Sequence, residues 1–570
     1  MIGFPDWQVA VETSQVIAGL VRYPTPSPFF LYHIKLWTIL HQLIAPLLLL
    51  GVTEIRLSLI ISGLLGMVTF QALSMVVYAL SGDALLSVGA AVLIFFTRAA
   101  EYGAVYGLFL LGTENTYGIL GLSFCVLSIA IFGSGWYRTG AFLVAVAPAV
   151  HPSLGLWSGV LAASALLPDL LRNEQDFARA SRWFLTGCGI TLLSLATQAL
   201  FIVRAPHPPG GESFTPQEIA AFITYWDGHR KPVDLANNGV SLNLAALGMA
   251  AVWLVAFRET LSRPSLLLLR FAIVSALVSV ALVFVSRLPP ASVPTFLLVL
   301  MPGRVLNFDA MIYAAVVTGL LANYRRFWSG LLLLALFAGL SIGDHSMLWE
   351  WIQEKRGATV VSTVRPLWVV TFVSIGLLTG ALWEKFKSRP AKAGPDVRVM
   401  NRPYRLARGC ALLLLLVITG VTMGFARPRS LIFHDRTNDV FFGQVASASG
   451  VLLTAGDLHL IQLKTRRPVL LDGGGLDGVM YSLDAGPEMK RILRDVYGLD
   501  LLNPPDEARG AGRIPPLANQ KVWEAYSLEK WQEIGRTYGV TQVLTYPDWM
   551  LQLPLAAESR RLLLYQIPPK

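Results

Sequence analysis

The chain has 570 residues, of which 54% are hydrophobic and only 14% charged, against roughly 25% charged residues in an ordinary soluble domain. Apolar stretches recur between charged loops, as the spans of a hydrocarbon core about 30 Å thick require, so the composition excludes an ordinary soluble protein. The net charge of +10 comes from basic residues in the short loops. This distribution indicates membrane orientation by the positive-inside rule and no nucleic-acid partner.

The three cysteines, Cys125, Cys188 and Cys410, all lie in apolar stretches, and no CxxC or other metal-ligand spacing exists. They are interpreted as packing residues. The sequence therefore predicts no metal site and shows no evident cofactor. A divalent cation stays an open alternative. The polar, amphipathic start does not have the pattern of a cleavable signal peptide.

In chain order, residues 1–34 predict an extracytoplasmic amphipathic segment ahead of the first span. Gln8, Glu12 and Gln15 recur on one face of a helix, and aromatic and aliphatic residues cover much of the rest. This pattern is typical of a helix lying in a membrane interface with its carboxylate side facing outward. Asp6 and Glu12 are thereby predicted to lie at the mouth of a membrane protein. For Asp6, the alternative is a helix N-cap.

Residues 35–426 predict an α-helical polytopic domain of about 11–13 spans. Prolines break two of the apolar stretches, one at His151-Pro152 and one at Pro302-Gly303, because proline removes a backbone donor and clashes with the carbonyl four residues back. The predicted spans lie near residues 35–52, 57–80, 84–97, 102–113, 117–133, 140–168 (broken), 183–204, 242–257, 265–287, 294–323 (broken), 327–342, 363–383 and 408–425.

Eight basic residues in loop 384–409 predict that this loop is cytoplasmic. Alternation then places residues 205–241 and 427–570 on the opposite side of a plasma (inner) membrane. The same alternation makes 140–168 a pair of half-helices and places the N-terminus outside. Two explanations for that N-terminus stay open: a short translocated tail, or an additional span encoded upstream.

The outside loop 205–241 contains Thr215-Pro216-Gln217-Glu218, a capping box with proline at the first helical position. A short helix is predicted from there to about Trp226, and it either roofs a cavity or orders the loop.

Residues 427–570 predict an extracytoplasmic α/β domain. Strands are expected at 451–454, 468–471, 542–545 and 562–567, and helices near 487–497 and 527–538. The run Asp472-Gly473-Gly474-Gly475 is interpreted as a turn after a strand, since no Gly-Lys-Ser/Thr follows. No His/Asp/Ser set is evident in the domain, which favours binding or support over chemistry.

Polar side chains at membrane depth are costly and are site candidates by default. The candidates for substrate binding are His41, Glu101, Glu114, His151, Arg304 and Asp309. Structural alternatives remain for three of them: Glu114 as part of a helix cap, His151 as a core histidine, and Arg304 as the partner of Asp309.

An acid-bearing first loop, spans of uneven length, broken helices and an α/β domain after the last span resemble the GT-C class of membrane glycosyltransferases. The resemblance is one of layout. It implies a polyprenyl-phosphate-linked sugar as donor, an extracytoplasmic glycan, lipid or protein as acceptor, and Asp6 or Glu12 as the general base. The chain departs from the family because members have a span before the first loop. A non-catalytic membrane scaffold of glycan assembly and a transporter or flippase are the alternatives.

Overall fold

The computed structural model describes residues 6–101, 103, 116–170, 175–206, 213–227, 229–344, 346, 348–349, 352–353, 364–387, 402–425, 433–472, 475–509 and 513–569. They form a helical domain followed by a smaller α/β domain, as predicted. The first and larger part contains α1 (Val9–Ile17), α2 (Pro28–Lys35), α3 (Ile39–Leu49), α4 (Glu54–Ser81), α5 (Ala84–Phe96), α6 (Thr116–Gly133), α7 (Tyr137–Val150), α8 (Pro152–Leu170), α9 (Gln175–Arg204), α10 (Pro216–Tyr225), α11 (Asn238–Ala256), α12 (Arg263–Ser286), α13 (Thr295–Val299), α14 (Leu306–Tyr324), α15 (Phe327–Ser341), α16 (Pro366–Lys387) and α17 (Arg402–Phe425).

Seven helices in the described part of the chain are long and apolar enough to cross a membrane, and five further apolar helices are shorter. The seven long candidates are Glu54–Ser81, Ala180–Arg204, Asn238–Ala256, Ser265–Ser286, Pro302–Tyr324, Pro366–Lys387 and Arg402–Val421. The apolar window of Pro302–Tyr324 is 100% buried, and α4, α11, α12 and α16 pack against α14, which is therefore central in the bundle. The protein is thus a multi-pass membrane protein. Most of the predicted span 102–113 and loop 384–409 lie outside the described residues.

Both predicted helix breaks are confirmed. α7 ends at Val150 and α8 begins at Pro152, while Met301, with φ of +47°, separates α13 from the turn Pro302–Val305 that leads into α14. A break frees backbone carbonyls, which must find donors inside an apolar domain. At the second break the Arg230 Nε donates to the Leu298 carbonyl over 2.9 Å, and the Trp157 Nε1 donates to the Leu300 carbonyl over 3.1 Å.

The first segment folds as α1 and α2, but its polar face is not turned outward. Gln8, Glu12 and Gln15 are each at most 1% exposed, so the prediction of an interfacial helix with its carboxylate side facing outward is wrong. Hydrophobic residues of α1 pack on α3, α4 and residues 460–463 of the α/β domain. The Gln15 amide donates to the Leu463 carbonyl of that domain and the Glu12 carboxylate accepts the Leu463 N–H, whereas the Gln8 amide donates to the Ser62 hydroxyl of α4. The predicted helix is present, but residues of α4 and of the α/β domain cover the polar face that was expected to be exposed to water.

The predicted helix after Thr215 is confirmed as α10, and Thr215 and Glu218 form the capping box. α10 docks on the α/β domain: its buried Ile219 and Phe222 belong to the same hydrophobic cluster as the core of that domain. Lys490 adds an ion pair to Glu218 at 2.7 Å. The helix therefore connects the loop to the C-terminal domain.

The α/β domain contains α18 (Val440–Ser447), β1 (Val451–Thr454), α19 (Ile461–Thr465), α20 (Gly486–Tyr497), α21 (Pro516–Glu524), α22 (Leu528–Tyr538), β2 (Val540–Thr545), β3 (Leu555–Glu558) and β4 (Leu563–Gln566). The sheet order is β1-β2-β4-β3, with β1 and β2 parallel and the other pairs antiparallel. The strand predicted at 468–471 is reduced to one bridge between Val469 and Leu452. β3, an exposed edge strand, was not predicted, because its Ala-Ala centre carries little strand propensity.

Candidate functional site

Asp6 lies two residues before the N-cap of α1. That N-cap is Gln8, which makes no side-chain capping bond, so the alternative reading of Asp6 as the cap is wrong. Its carboxylate Oδ1 accepts the backbone N–H of Trp7 at 2.8 Å, and its own N–H donates to the Ser62 hydroxyl of α4 at 3.2 Å. Asp6 is half-buried, which leaves part of its surface accessible at the edge of the bundle.

Glu12 is held by the C-terminal domain. Its carboxylate accepts the backbone N–H of Leu463 at 3.2 Å, and the Gln462 amide donates to the Glu12 carbonyl at 3.3 Å. Tyr23 also bonds to Gln462. Burial, followed by the negative charges of Glu12 and Asp472, raises the pKa of Tyr23 well above its ordinary value. Glu12 therefore joins two parts of the chain and is 1% exposed.

A second buried carboxylate beside the first segment was missed by the sequence analysis. Glu54, at the start of α4, is 2% exposed and accepts a hydrogen bond from the Gln15 amide at 3.1 Å. Arg466 of the α/β domain pairs with it, and Arg436 lies 3.8 Å away. Only the fold reveals this cluster, because Glu54 and Arg466 are 412 positions apart.

The histidines near the first segment are both buried. His41 accepts the backbone N–H of Thr38 at 2.8 Å and completes a capping box at the start of α3; its predicted role in substrate binding is untested. His33 Nδ1 lies 2.9 Å from the Thr13 hydroxyl. Burial lowers the pKa of His33 from 6.5 to about 3, with Asp472 opposing and His459 reinforcing the shift, so His33 is neutral at physiological pH.

The α/β domain contains a His/Asp pair that was not predicted from the sequence. His459 Nδ1 lies 3.1 Å from Asp472 Oδ2, which also accepts the backbone N–H of Leu460 at 3.3 Å. The Asp472 side chain is fully buried, whereas 16% of the His459 side chain is exposed. A carboxylate that orients an accessible imidazole is an arrangement suited to proton transfer. The sequence signal was weak, since 13 residues separate the two.

The glycine-rich turn after Asp472 brings this pair close to the first segment. A Cβ at Gly478 would lie 2.3 Å from Tyr32 Cδ2, and one at Gly475 would lie 3.2 Å from a ring carbon of Phe29. Glycine at these two positions lets the loop pack directly on the aromatic side chains of α2. The two central glycines, 473 and 474, lie outside the described residues.

The two helix breaks meet at the same end of the bundle. His151 packs on Gly121 of α6, where an added Cβ would lie 2.5 Å from the His151 Cβ. Arg304, beyond the second break, lies close enough to His151 to influence it electrostatically. Tyr481 of the α/β domain reaches the same place, with its hydroxyl 3.6 Å from Met301 Sδ and its ring 4.9 Å from the Arg230 guanidinium.

The remaining predicted site residues are not part of this convergence. Asp309 is fully buried in α14, and neither of its carboxylate oxygens makes a hydrogen bond of normal geometry among the described residues. It forms no ion pair with Arg304, so that alternative is wrong. Glu101 lies in a short turn, 3.6 Å from the Arg98 guanidinium. Glu114 lies outside the described residues. Within the described ranges, no group of three His, Cys, Asp or Glu side chains could hold a metal ion.

No protein-family profile matches the chain, and no curated protein matches it either. Among solved structures, it is similar to the crystal structure of ArnT from Cupriavidus metallidurans bound to undecaprenyl phosphate, with 14% sequence identity over 98% of this chain and 97% of that one and a TM-score of 0.40.

Proposed function

We propose that the protein is a membrane glycosyltransferase that moves a sugar from a polyprenyl-phosphate donor to an extracytoplasmic glycan, lipid or protein acceptor. The supporting observation is the convergence of three parts at one end of the bundle. The acid-bearing first segment contacts α6, His151 packs on α6, and Tyr481 contacts the break at Met301. This is the layout that the resemblance to the GT-C class implies.

The proposed chemistry needs a cation for the donor phosphate and a carboxylate for the acceptor. Arg304 is the proposed phosphate ligand, because a planar guanidinium matches phosphate oxygens in a bidentate manner. The acceptor hydroxyl attacks the anomeric carbon, the bond from that carbon to the phosphate oxygen breaks, and polyprenyl phosphate leaves. The hydroxyl proton passes to a carboxylate, a contribution of about 10²–10⁴-fold in rate.

Of the two acids, Asp6 is the proposed base. Glu12 is 1% exposed and its carboxylate is bonded to the Leu463 amide, whereas Asp6 is half-buried and close to α4. Glu12 is assigned the role of fixing the first segment on the C-terminal domain.

The test measures sugar transfer in membranes supplied with a polyprenyl-phosphate sugar. Asp6→Asn should lower the rate by about 10²–10⁴-fold, because an amide does not take the proton. Glu12→Gln should retain transfer, since the amide oxygen can still accept the Leu463 N–H. Full activity in both single variants and in the double variant would remove these acids from the mechanism and favour the scaffold function.

The phosphate site is tested separately. Arg304→Gln should weaken competition by free polyprenyl phosphate, whereas Arg258→Gln, which changes an exposed arginine just after α11, should not. Equal competition in wild type and Arg304→Gln would place the donor phosphate elsewhere.

The proposed orientation puts the α/β domain outside the cell. A cysteine at the exposed Ser527 should react with a membrane-impermeant thiol reagent in intact cells, and one at residue 391 in the basic loop should not. Cys410, the exposed native cysteine, is replaced by serine to lower the background. The reverse labelling pattern would overturn the assigned topology.

A further inference from the structure

Helices α11, α12 and α14 enclose a small set of buried polar side chains inside the helical domain. Asp309 lies in the first turn of α14, which begins at Leu306. Ser275 of α12 is its polar neighbour, and Phe271, one turn before Ser275, contacts Phe308 with ring centroids 6.0 Å apart. Asp309 and Ser275 are at most 1% exposed.

The oxygen atoms of this set are not satisfied by the protein. Neither carboxylate oxygen of Asp309 nor the hydroxyl of Ser275 makes a hydrogen bond of normal geometry in the described part of the chain, although the Ser275 hydroxyl lies close enough to Asp309 to interact with its carboxylate. The side-chain oxygen of Asn243 on α11 also has no hydrogen bond of normal geometry among the described residues. Ser279, one turn after Ser275 on the same face of α12, adds a further buried hydroxyl without a partner in the described ranges.

The orientation of the Asn243 amide follows from its hydrogen bonds. Its nitrogen donates to the Gly239 carbonyl at 2.8 Å and to the Leu306 carbonyl at 3.0 Å, so both N–H groups are used and the other atom must be the oxygen. Leu306 and Asp309 are three residues apart on α14 and therefore lie on one helical face. Asn243 thus lies against the stretch of α14 that bears Asp309.

A buried carboxylate is stable only if its charge is compensated or removed. In the described part of the chain, Ser275 brings a hydroxyl to Asp309, and no ammonium or guanidinium group forms an ion pair with its carboxylate. A single negative charge among neutral oxygen ligands suits a hard cation of charge +1, because hard cations select oxygen donors.

We propose that Asp309, Ser275 and Asn243 bind a dehydrated monovalent cation of the sodium type between α11, α12 and α14. The cation links three helices around the core of the bundle, so the folded protein binds it and the unfolded chain does not. Linkage then requires that the cation stabilise the fold, with an effect that rises with the logarithm of its concentration above the dissociation constant. The site is independent of the proposed glycosyltransferase activity.

The test is thermal unfolding of the purified full-length chain in detergent, in NaCl, KCl or choline chloride at equal ionic strength. Wild type should unfold at a temperature that rises with sodium concentration and that is lower in choline chloride. Asp309→Asn should remove the sodium dependence, and Ser275→Ala should shift it to higher concentration. Thr318→Val is the matched control on α14, because the Thr318 hydroxyl already bonds to the Ala314 carbonyl at 2.8 Å; it should retain the dependence.

Identical unfolding temperatures of wild type in sodium and choline would overturn the proposal. So would a sodium effect that persists in Asp309→Asn. If Asp309→Asn does not fold, the wild-type series and Ser275→Ala decide the question, and an unchanged sodium dependence in Ser275→Ala counts against the site. A stability that depends on pH through Asp309 and on no cation would show that a proton neutralises the carboxylate, which also overturns the proposal.

Discussion

Two tryptophans of the α/β domain provide a matched test of how a buried N–H group affects stability. Trp523 and Trp531 are both fully buried and pack edge to face with ring centroids 5.7 Å apart. The Trp523 Nε1 donates to the Val496 carbonyl at 2.8 Å. The Trp531 Nε1 has no hydrogen-bond partner among the described residues. Changing each to phenylalanine removes the same atoms from the same cluster.

The difference between the two variants follows from the hydrogen bonds. Trp523→Phe loses one neutral hydrogen bond, a net cost of about 0.5–1.5 kcal/mol. The Val496 carbonyl still accepts the Tyr526 hydroxyl at 3.3 Å, so no larger penalty for an orphaned acceptor is added. Trp531→Phe removes an unsatisfied N–H whose burial costs about 1–3 kcal/mol. With similar volume loss in both, Trp523→Phe should be the less stable variant by about 2 kcal/mol or more.

The assay heats the purified full-length variants side by side and measures the remaining folded fraction by size-exclusion chromatography. Intrinsic fluorescence is unsuitable because the variants differ in tryptophan content. A difference of about 2 kcal/mol corresponds to roughly 4–8 °C for a unit of 150–250 residues. Equal unfolding temperatures, or a lower one for Trp531→Phe, would refute the reasoning from hydrogen-bond satisfaction.

Two further predictions concern the contact of α2 with the α/β domain. Gly478→Ala places a Cβ 2.3 Å from Tyr32 and should destabilise the protein by about 1–3 kcal/mol; Gly159→Ala on α8, with no atom within 4 Å, should not, and thermal unfolding compares the two. Partial burial would raise the pKa of Asp484, but the hydrogen bonds from Lys35 and Ser482 outweigh it and hold the pKa below its ordinary value. This contact therefore stabilises the fold above about pH 4 and is lost as the pH falls through the folded-state pKa. Because 34% of the Asp484 side chain is exposed, the effect should stay below about 1 kcal/mol. It should appear as a stability gap between wild type and Asp484→Asn that is constant above about pH 4 and narrows as the pH falls further; a gap that does not change in acid would contradict it.

The sequence by itself determined most of the helical elements, and it determined the helix ends that a proline or a capping box sets. Long apolar stretches specify helices because a chain in an apolar environment must satisfy its backbone hydrogen bonds within each segment. The breaks at Pro152 and Pro302 and the capping box at Thr215 were predictable because each depends on backbone geometry and hydrogen bonds within four residues. The strands β1, β2 and β4 were likewise visible as short apolar runs between turns.

Tertiary structure alone decided which polar side chains are buried and what they contact. The face of α1 that bears Glu12 was expected outside, yet Leu463, some 451 positions later, covers it. The pairing of Glu54 with Arg466, which are 412 positions apart, had no local signal, because a side chain carries no record of a partner that chain folding brings to it from far away. The pairing of His459 with Asp472, 13 positions apart, had only a weak one. Asp309 could be recognised as costly from its position in an apolar stretch, but its proximity to Ser275 of α12 depends on how the helices pack. Local periodicity specifies elements, whereas the chemistry of a buried site depends on long-range contacts.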